Sequence, residues 1–410
     1  MVMEGRATRL LVSKAAMVRN GGAARDLLRN LPELSRKFEV KFCCLNILDS
    51  QRVKIESLGV EVICPDRQWE VKGGIWNEIS AKQDRSSKKA WEALEGISHA
   101  IEWADAIHLT TGAGSMDFVS LVPNSKPLHL HFLESKSGIF DSVSHLNSDG
   151  SGMWRAHVVH ALQVYHKRRI ISSFKGFNQN EKWIISANSN YSASKLMEEY
   201  GITGEVLFPV VDLSEFQREE SPGEDRVIDR LRGSNESEYV VTVGNLSRFK
   251  GAYESVEHIV GCDLDLVLVG GGSGTENQDL VSFGRRLGVD VQVLSNLDST
   301  EMAILMKRST AVIGLAHGEA FGLTPIESMA LGAPPVFVDE GGYRDTIVDG
   351  VNGRLVARGD FDDWRQALMQ ARDPDIRARW AESGLSRIVE LGLSSENYAS
   401  QLDERLRSLL

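Results

Sequence analysis

Cysteine is scarce. Cys43, Cys44, Cys64 and Cys262 are the only four in 410 residues, and none forms a Cys-x-x-Cys pair. A disulfide or zinc framework is therefore not expected, and the usage fits a reducing cytosol. Long apolar runs are missing too; none approaches the roughly 18 residues that a membrane span requires. The opening Met1-Val2-Met3-Glu4-Gly5-Arg6 leads straight into a strand pattern, without a signal peptide's apolar stretch. A cytoplasmic location follows, with peripheral contact at the inner membrane surface left open. Positive charge is short of negative: 46 Lys and Arg stand against 57 Asp and Glu, for a net charge of −11. That balance argues against nucleic acid as a partner. It does not argue against a phosphate ligand, because a small basic pocket can sit in an acidic protein. No internal repeat, heptad pattern or low-complexity tract is present.

What remains is ordinary globular composition, 42% apolar and 25% charged, in a chain long enough for two domains with separate cores. Short β-rich runs alternate with helical stretches. The first half offers strands at 9–12, 40–47, 60–64, 106–110, 128–133 and 183–187, and the second at 239–243, 264–269, 291–294, 311–315 and 335–338. Helical patterns cover 23–31, 91–102, 153–170, 252–259, 280–287, 299–306 and 362–372, and a final helix covers 395–410. Strands alternating with helices predict α/β domains with parallel, doubly wound sheets covered on both faces, one per half. Pro209 and the polar, turn-rich Glu219-Glu220-Ser221-Pro222-Gly223-Glu224-Asp225 place a hinge near residues 206–212. The expected division is 1–205, 206–394 and a terminal helix 395–410.

The densest signal is His317-Gly318-Glu319-Ala320-Phe321-Gly322-Leu323-Thr324-Pro325-Ile326-Glu327, after the apolar run 311–316. Thr324 suits an N-cap, Pro325 the first helical position and Glu327 the acid of a capping box. Such a loop, between a strand's carboxyl end and a helix N-terminus, is where open α/β sheets bind ligands, and its N–H groups favour phosphate. Read blandly, Glu327 closes its capping box and Glu319 is an ordinary loop acid. Read chemically, phosphate over the N–H groups would bring the hydroxyl-rich ends of a nucleotide-sugar against the two acids.

This segment resembles the acid-seven-acid motif of retaining GT-B glycosyltransferases, in particular glycosyltransferase family 4. Further matches come in the family's order: Gly21-Gly22-Ala23-Ala24-Arg25, Asn188-Ser189-Asn190-Tyr191, Phe208-Pro209-Val210-Val211-Asp212, Val243-Gly244-Asn245-Leu246-Ser247-Arg248-Phe249-Lys250-Gly251, Gly341-Gly342-Tyr343-Arg344-Asp345 and Asp349-Gly350-Val351-Asn352-Gly353. The resemblance implies two Rossmann-like domains facing across a cleft, with the terminal helix crossing back to the first. It implies transfer of a hexosyl group, with retention, from a UDP- or GDP-linked nucleotide-sugar to a sugar or lipid-linked acceptor. No cofactor and no metal are implied.

By the same resemblance, Glu319 binds the transferred sugar and Glu327 the ribose hydroxyls. Lys250, Gly21, Gly22, Phe321, Gly322 and the N–H groups of Leu323 and Thr324 meet the donor, and Leu294 lies near the base. Asn245 stands where the family carries an arginine, so Arg248 is expected to replace that cation. His129 and His131 alternate in one strand and share a face; His131 is taken as the histidine beside the sugar, the plain alternative being a buried, hydrogen-bonded core histidine. Asp263-Leu264-Asp265 matches a metal-binding Asp-x-Asp pattern by chance, and the glycine run 270–274 lacks dinucleotide-fingerprint spacing. The rival functions are a nucleotide-sugar epimerase, a phosphorylase and a non-catalytic nucleotide-sugar-binding protein.

Overall fold

A computed structural model describes residues 6–17, 22–70, 82–133, 174, 176–216, 223–233 and 235–410. Gly21, the helical pattern 153–170 and the Glu219–Pro222 part of the turn-rich segment lie outside the described residues. Among the described residues, contacts divide the chain into two units. One holds the chain up to Val210 together with Leu393–Leu410, and the other holds Val211–Gly392.

The first unit has one parallel sheet ordered β3-β2-β1-β4-β5-β6-β7. Its strands are β1 Arg9–Ser13, β2 Glu39–Cys43, β3 Glu61–Ile63, β4 Ala106–Thr110, β5 Leu128–Phe132, β6 Trp183–Ala187 and β7 Glu205–Val206. From Leu10 onward, β1 residues are fully buried and alternate between two separate cores: Leu11 packs with Leu109 and Leu130, Leu10 and Val12 with Phe42 and Leu31. A sheet buried on both faces needs that continuous apolar pattern. The helix Ser395–Arg407 belongs here, with Tyr398, Ala399, Leu402 and Leu406 in the second core beside Leu27, Leu31 and Leu34 of the helix Gly22–Lys37.

The second unit repeats the plan as β10-β9-β8-β11-β12-β13, again all parallel. Its strands are β8 Tyr239–Asn245, β9 Asp265–Gly271, β10 Val291–Leu294, β11 Ala311–Gly314, β12 Pro335–Val338 and β13 Arg354–Val356. Each sheet reverses its strand order once, between β1 and β4 and between β8 and β11. Two Rossmann-like sheets are thus present.

Several sequence expectations differ from the structure. The pattern at 91–102 is two helices, Lys82–Glu92 and Ile97–Trp103, separated by a turn at Gly96. β7 and β13 were not anticipated; at two and three residues they are too short to show a period. The segment 206–210 stays with the first unit because Asp26 Oδ1 accepts from Val210 N at 2.7 Å and Arg29 donates to the Val210 carbonyl at 3.3 Å.

Candidate active site

The reversal between β8 and β11 places two loops side by side at the carboxyl ends of the second sheet. β8 runs out through Asn245 into a single 3-10 turn, Arg248–Lys250, capped by Ser247, whose hydroxyl accepts from Lys250 N at 3.1 Å. β11 runs out through Leu315 to Gly322, and a helix Leu323–Ala330 follows. The loops are laced together. His317 N donates to the Phe249 carbonyl at 2.8 Å, and Gly251 lies so close to Leu315 that a Cβ there would meet its carbonyl oxygen at 2.2 Å. Only glycine, at φ 73°, allows that approach.

The lacing brings two predicted residues into contact. Lys250 Nζ donates to Glu319 Oε2 at 2.8 Å, with side chains 37% and 24% exposed, so both remain accessible. The Gly341-Gly342 motif braces the same loop: Gly342 N donates to the Glu319 carbonyl at 2.7 Å, and a Cβ at Gly342 would stand 2.4 Å from the Ala320 carbonyl oxygen. Phe321 is buried and anchors the loop.

Helix initiation differs from expectation. The helix opens at Leu323, capped by Gly322 in the left-handed region with no side-chain cap. Thr324 is therefore its second residue, not its N-cap, and Pro325 its third. Glu327 is its fifth residue, so no capping box forms; it is buried one turn in. The N–H groups of Leu323 and Thr324 have no acceptor within their own helix, and Pro325 adds none. The positive end of the helix is therefore carried by these two groups.

Other predicted residues fall around this pair. Asn245 ends β8, exposed, and its Oδ1 accepts from Ser247 Oγ at 2.6 Å. Arg248 lies over Tyr253, its guanidinium carbon 4.7 Å from the ring centre. Leu294 ends β10, half-buried, on the edge strand. Gly22 opens the helix Gly22–Lys37 in the first unit. Asp265 Oδ2 accepts from Arg232 at 2.6 Å and from Asn235 at 2.8 Å, at the opposite end of the sheet from the Glu319 loop. Among the described residues, no cluster of three or more His, Cys, Asp and Glu could hold a metal ion.

His131 is a correction. It lies in β5 with no exposed surface, and both ring nitrogens are engaged inside the first unit. The Leu207 carbonyl, 2.9 Å from Nε2, can only accept, so Nε2 carries the proton. Nδ1 then accepts from the Tyr398 hydroxyl at 3.1 Å. Having given its one proton, Tyr398 Oη accepts from His108 Nε2 at 3.3 Å. His108 Nδ1 accepts from His129 Nδ1 at 2.9 Å, and His129 Nε2 accepts from Ser186 Oγ at 2.9 Å. One carbonyl fixes the tautomer of three neutral imidazoles. Burial lowers His108 to about 3 and His131 to about 4, pushes His129 well below its ordinary value, and raises nearby Asp26 to about 6. The shared face of His129 and His131 is a core face, and a sugar cannot reach it.

Sequence reasoning did not single out the network beneath the Lys250–Glu319 pair. Arg358, just after β13, contacts Glu254 and Glu340 and donates to the Leu315 carbonyl at 3.1 Å. Glu254 also binds His317 Nε2 at 2.9 Å. Burial lowers Arg358 to about 10, which leaves it charged at neutral pH. These residues are 104 positions apart in the chain at the extreme, and no local pattern marks them.

Residues 225–387 match the family model of glycosyl transferases group 1. A D-inositol 3-phosphate glycosyltransferase of Corynebacterium kroppenstedtii is 31% identical over 192 residues, 42% of this chain and 41% of that protein. The chain spans about half the length of the curated relatives it matches. Among solved structures, sucrose-phosphate synthase of Thermosynechococcus elongatus superposes with a TM-score of 0.72 at 16% identity, covering 98% of this chain and 99% of that one. Anabaena HepE, solved with UDP and glucose, gives 0.65 at 18% identity, covering 98% and 100%. Residues 225–387 are thus a glycosyl transferases group 1 domain, and the two parallel sheets of the chain are those of the GT-B fold.

Proposed function

We propose that this chain transfers a hexosyl group from a UDP- or GDP-linked donor to a sugar or lipid-linked acceptor, with retention of anomeric configuration. The observation that carries the reading is the Lys250–Glu319 ion pair, set at the strand-order reversal on two adjacent loops, of which the Glu319 loop leads into the helix Leu323–Ala330. Lys250 has three N–H donors, so it can keep Glu319 and still meet a diphosphate oxygen. The Leu323 and Thr324 N–H groups supply preorganised dipoles for the charge that develops as the diphosphate departs. The Arg248 guanidinium over the Tyr253 ring adds positive potential in the same turn.

Glu319 offers carboxylate oxygens to the hydroxyls of the transferred sugar, and Glu327 serves the ribose. Strands are spaced by about 4.8 Å, so Leu294 on β10 stands about 14 Å across the sheet from β11, the reach of an extended nucleotide-sugar. The bond from the anomeric carbon to the phosphate oxygen breaks and one to the acceptor oxygen forms. The acceptor proton passes to the departing phosphate oxygen, so no enzyme nucleophile is required. HepE's UDP and glucose favour a UDP-hexose as first donor to test, and the names of the curated relatives add a phosphorylated inositol to the acceptors.

The test is release of nucleoside diphosphate from a panel of UDP- and GDP-hexoses, with and without polyol and lipid-linked acceptors. Acceptor-dependent release with a glycosylated product is expected. Donor epimerisation without an acceptor, dependence on inorganic phosphate, or binding without turnover would replace this reading with one of its rivals.

A further inference from the structure

We infer that Arg358 is a positioning residue that sets the geometry of the Lys250–Glu319 pair, an inference that rests on the function proposed above. Arg358 has five N–H donors in a fixed planar fork. Nε and one Nη bind the two Glu340 oxygens at 2.9 Å each, a bidentate pair. The other Nη binds Glu254 Oε2 and the Leu315 carbonyl, the latter at 3.1 Å, and the Ala316 carbonyl lies 3.5 Å from the fork. Glu254 passes the restraint on through its second oxygen, which binds His317 Nε2 at 2.9 Å. Three consecutive residues before Gly318-Glu319 are thus tied to one guanidinium, directly or through one carboxylate.

The same cation fixes the other partner. Glu254 lies in the helix Ala252–His258, which begins two residues after Lys250. Glu340 follows β12 and precedes the Gly341-Gly342 brace of the Glu319 carbonyl. Arg358 therefore joins the exits of β11, β12 and β13 to the helix that follows Lys250. A lysine could not replace this junction, since a single ammonium lacks the planar fork. The cluster also carries two carboxylates on one arginine, more than a simple charge balance requires.

A purely stabilising ion cluster predicts a different response, and two readouts separate the alternatives. Arg358→Met removes the guanidinium that Glu254 and Glu340 share, so it is paired with the charge-relieved triple variant Arg358→Met/Glu254→Gln/Glu340→Gln. Both are compared with wild type for turnover at saturating donor, nucleoside affinity and melting temperature. In parallel, acylation of Lys250 by a lysine-selective reagent is followed by peptide mass spectrometry, with Lys195 of the first unit as a control.

The expected result is a fall in turnover of about 10²-fold, as for displacement of a catalytic group by about 1 Å. That loss should persist in the triple variant after its melting temperature recovers. Nucleoside affinity should hold, Lys250 should label severalfold faster and Lys195 unchanged, and Arg358→Lys should recover only part of the turnover. Recovery of wild-type turnover along with stability in the triple variant would overturn the inference. So would unchanged Lys250 labelling in folded Arg358→Met. If wild type turns over no donor, the proposed function fails, and the labelling result still decides the role of Arg358.

Discussion

Replacing Lys250 by methionine should separate phosphate recognition from everything else the site does. The Lys250 side chain is 37% exposed in its pair with Glu319, and exposed pairs contribute about 0–1 kcal/mol to folding. Lys250→Met should therefore fold normally. A hydrogen bond to a charged group contributes about 1.5–3 kcal/mol where it is made, and about 1.4 kcal/mol is a factor of ten. Affinity for a nucleoside diphosphate should then fall by roughly 10- to 100-fold. The parent nucleoside carries no phosphate for Lys250 to meet, so its affinity should change by less than about twofold, under 0.5 kcal/mol. Isothermal calorimetry with both ligands on wild type and variant reads the difference directly. Unchanged diphosphate affinity, or equal weakening of both ligands, would refute the assignment of Lys250 to the diphosphate.

Glu319→Gln should keep nucleoside diphosphate affinity near wild type and lower turnover by about 10²-fold, as when one preorganised polar contact is lost; wild-type turnover in a donor-release assay would remove Glu319 from the sugar site. His131→Ala should lower stability, because the Leu207 carbonyl and Tyr398 hydroxyl lose their partner at about 1–3 kcal/mol each. Denaturant unfolding should show that loss with normal turnover in the folded fraction, whereas normal stability with abolished turnover would restore a catalytic role. Stability should also rise with pH across roughly pH 4–6. Unfolded histidines take up protons there, while His108, His129 and His131 stay neutral in the fold, their values lowered by burial to about 3, well below normal and to about 4. Asp26, raised to about 6, opposes them by holding one proton in the folded state. The three histidines outweigh Asp26, so the net slope is upward with pH, and urea titrations at pH 5 and pH 7 would expose a flat profile.

The fold was legible because its signals are local. Apolar runs such as 264–269 and 311–315 announced buried parallel strands, and the alternation with helices announced the layers. The Glu319 loop was legible because glycines at 322, 341 and 342 are confined by close packing and so mark the site in one dimension. His131 misled for a physical reason: alternation in β5 shows which residues share a face, not whether that face meets solvent or Tyr398 from a helix 267 residues away. Thr324 and Pro325 carried genuine helix-start chemistry, yet the left-handed Gly322 started the helix one residue before Thr324. Arg358 left no trace because its partners come from three segments distant in the chain: the helix Ala252–His258 and the exits of β11 and β12.

The most direct test of the central claim is a crystal structure with UDP or GDP bound, whichever calorimetry shows to be tighter. The account predicts the diphosphate over the N–H groups of Leu323 and Thr324, with Lys250 Nζ within hydrogen-bond distance of a phosphate oxygen and Glu319 beside the terminal phosphate. A diphosphate bound away from the carboxyl ends of β8 and β11, or out of reach of Lys250, would contradict it.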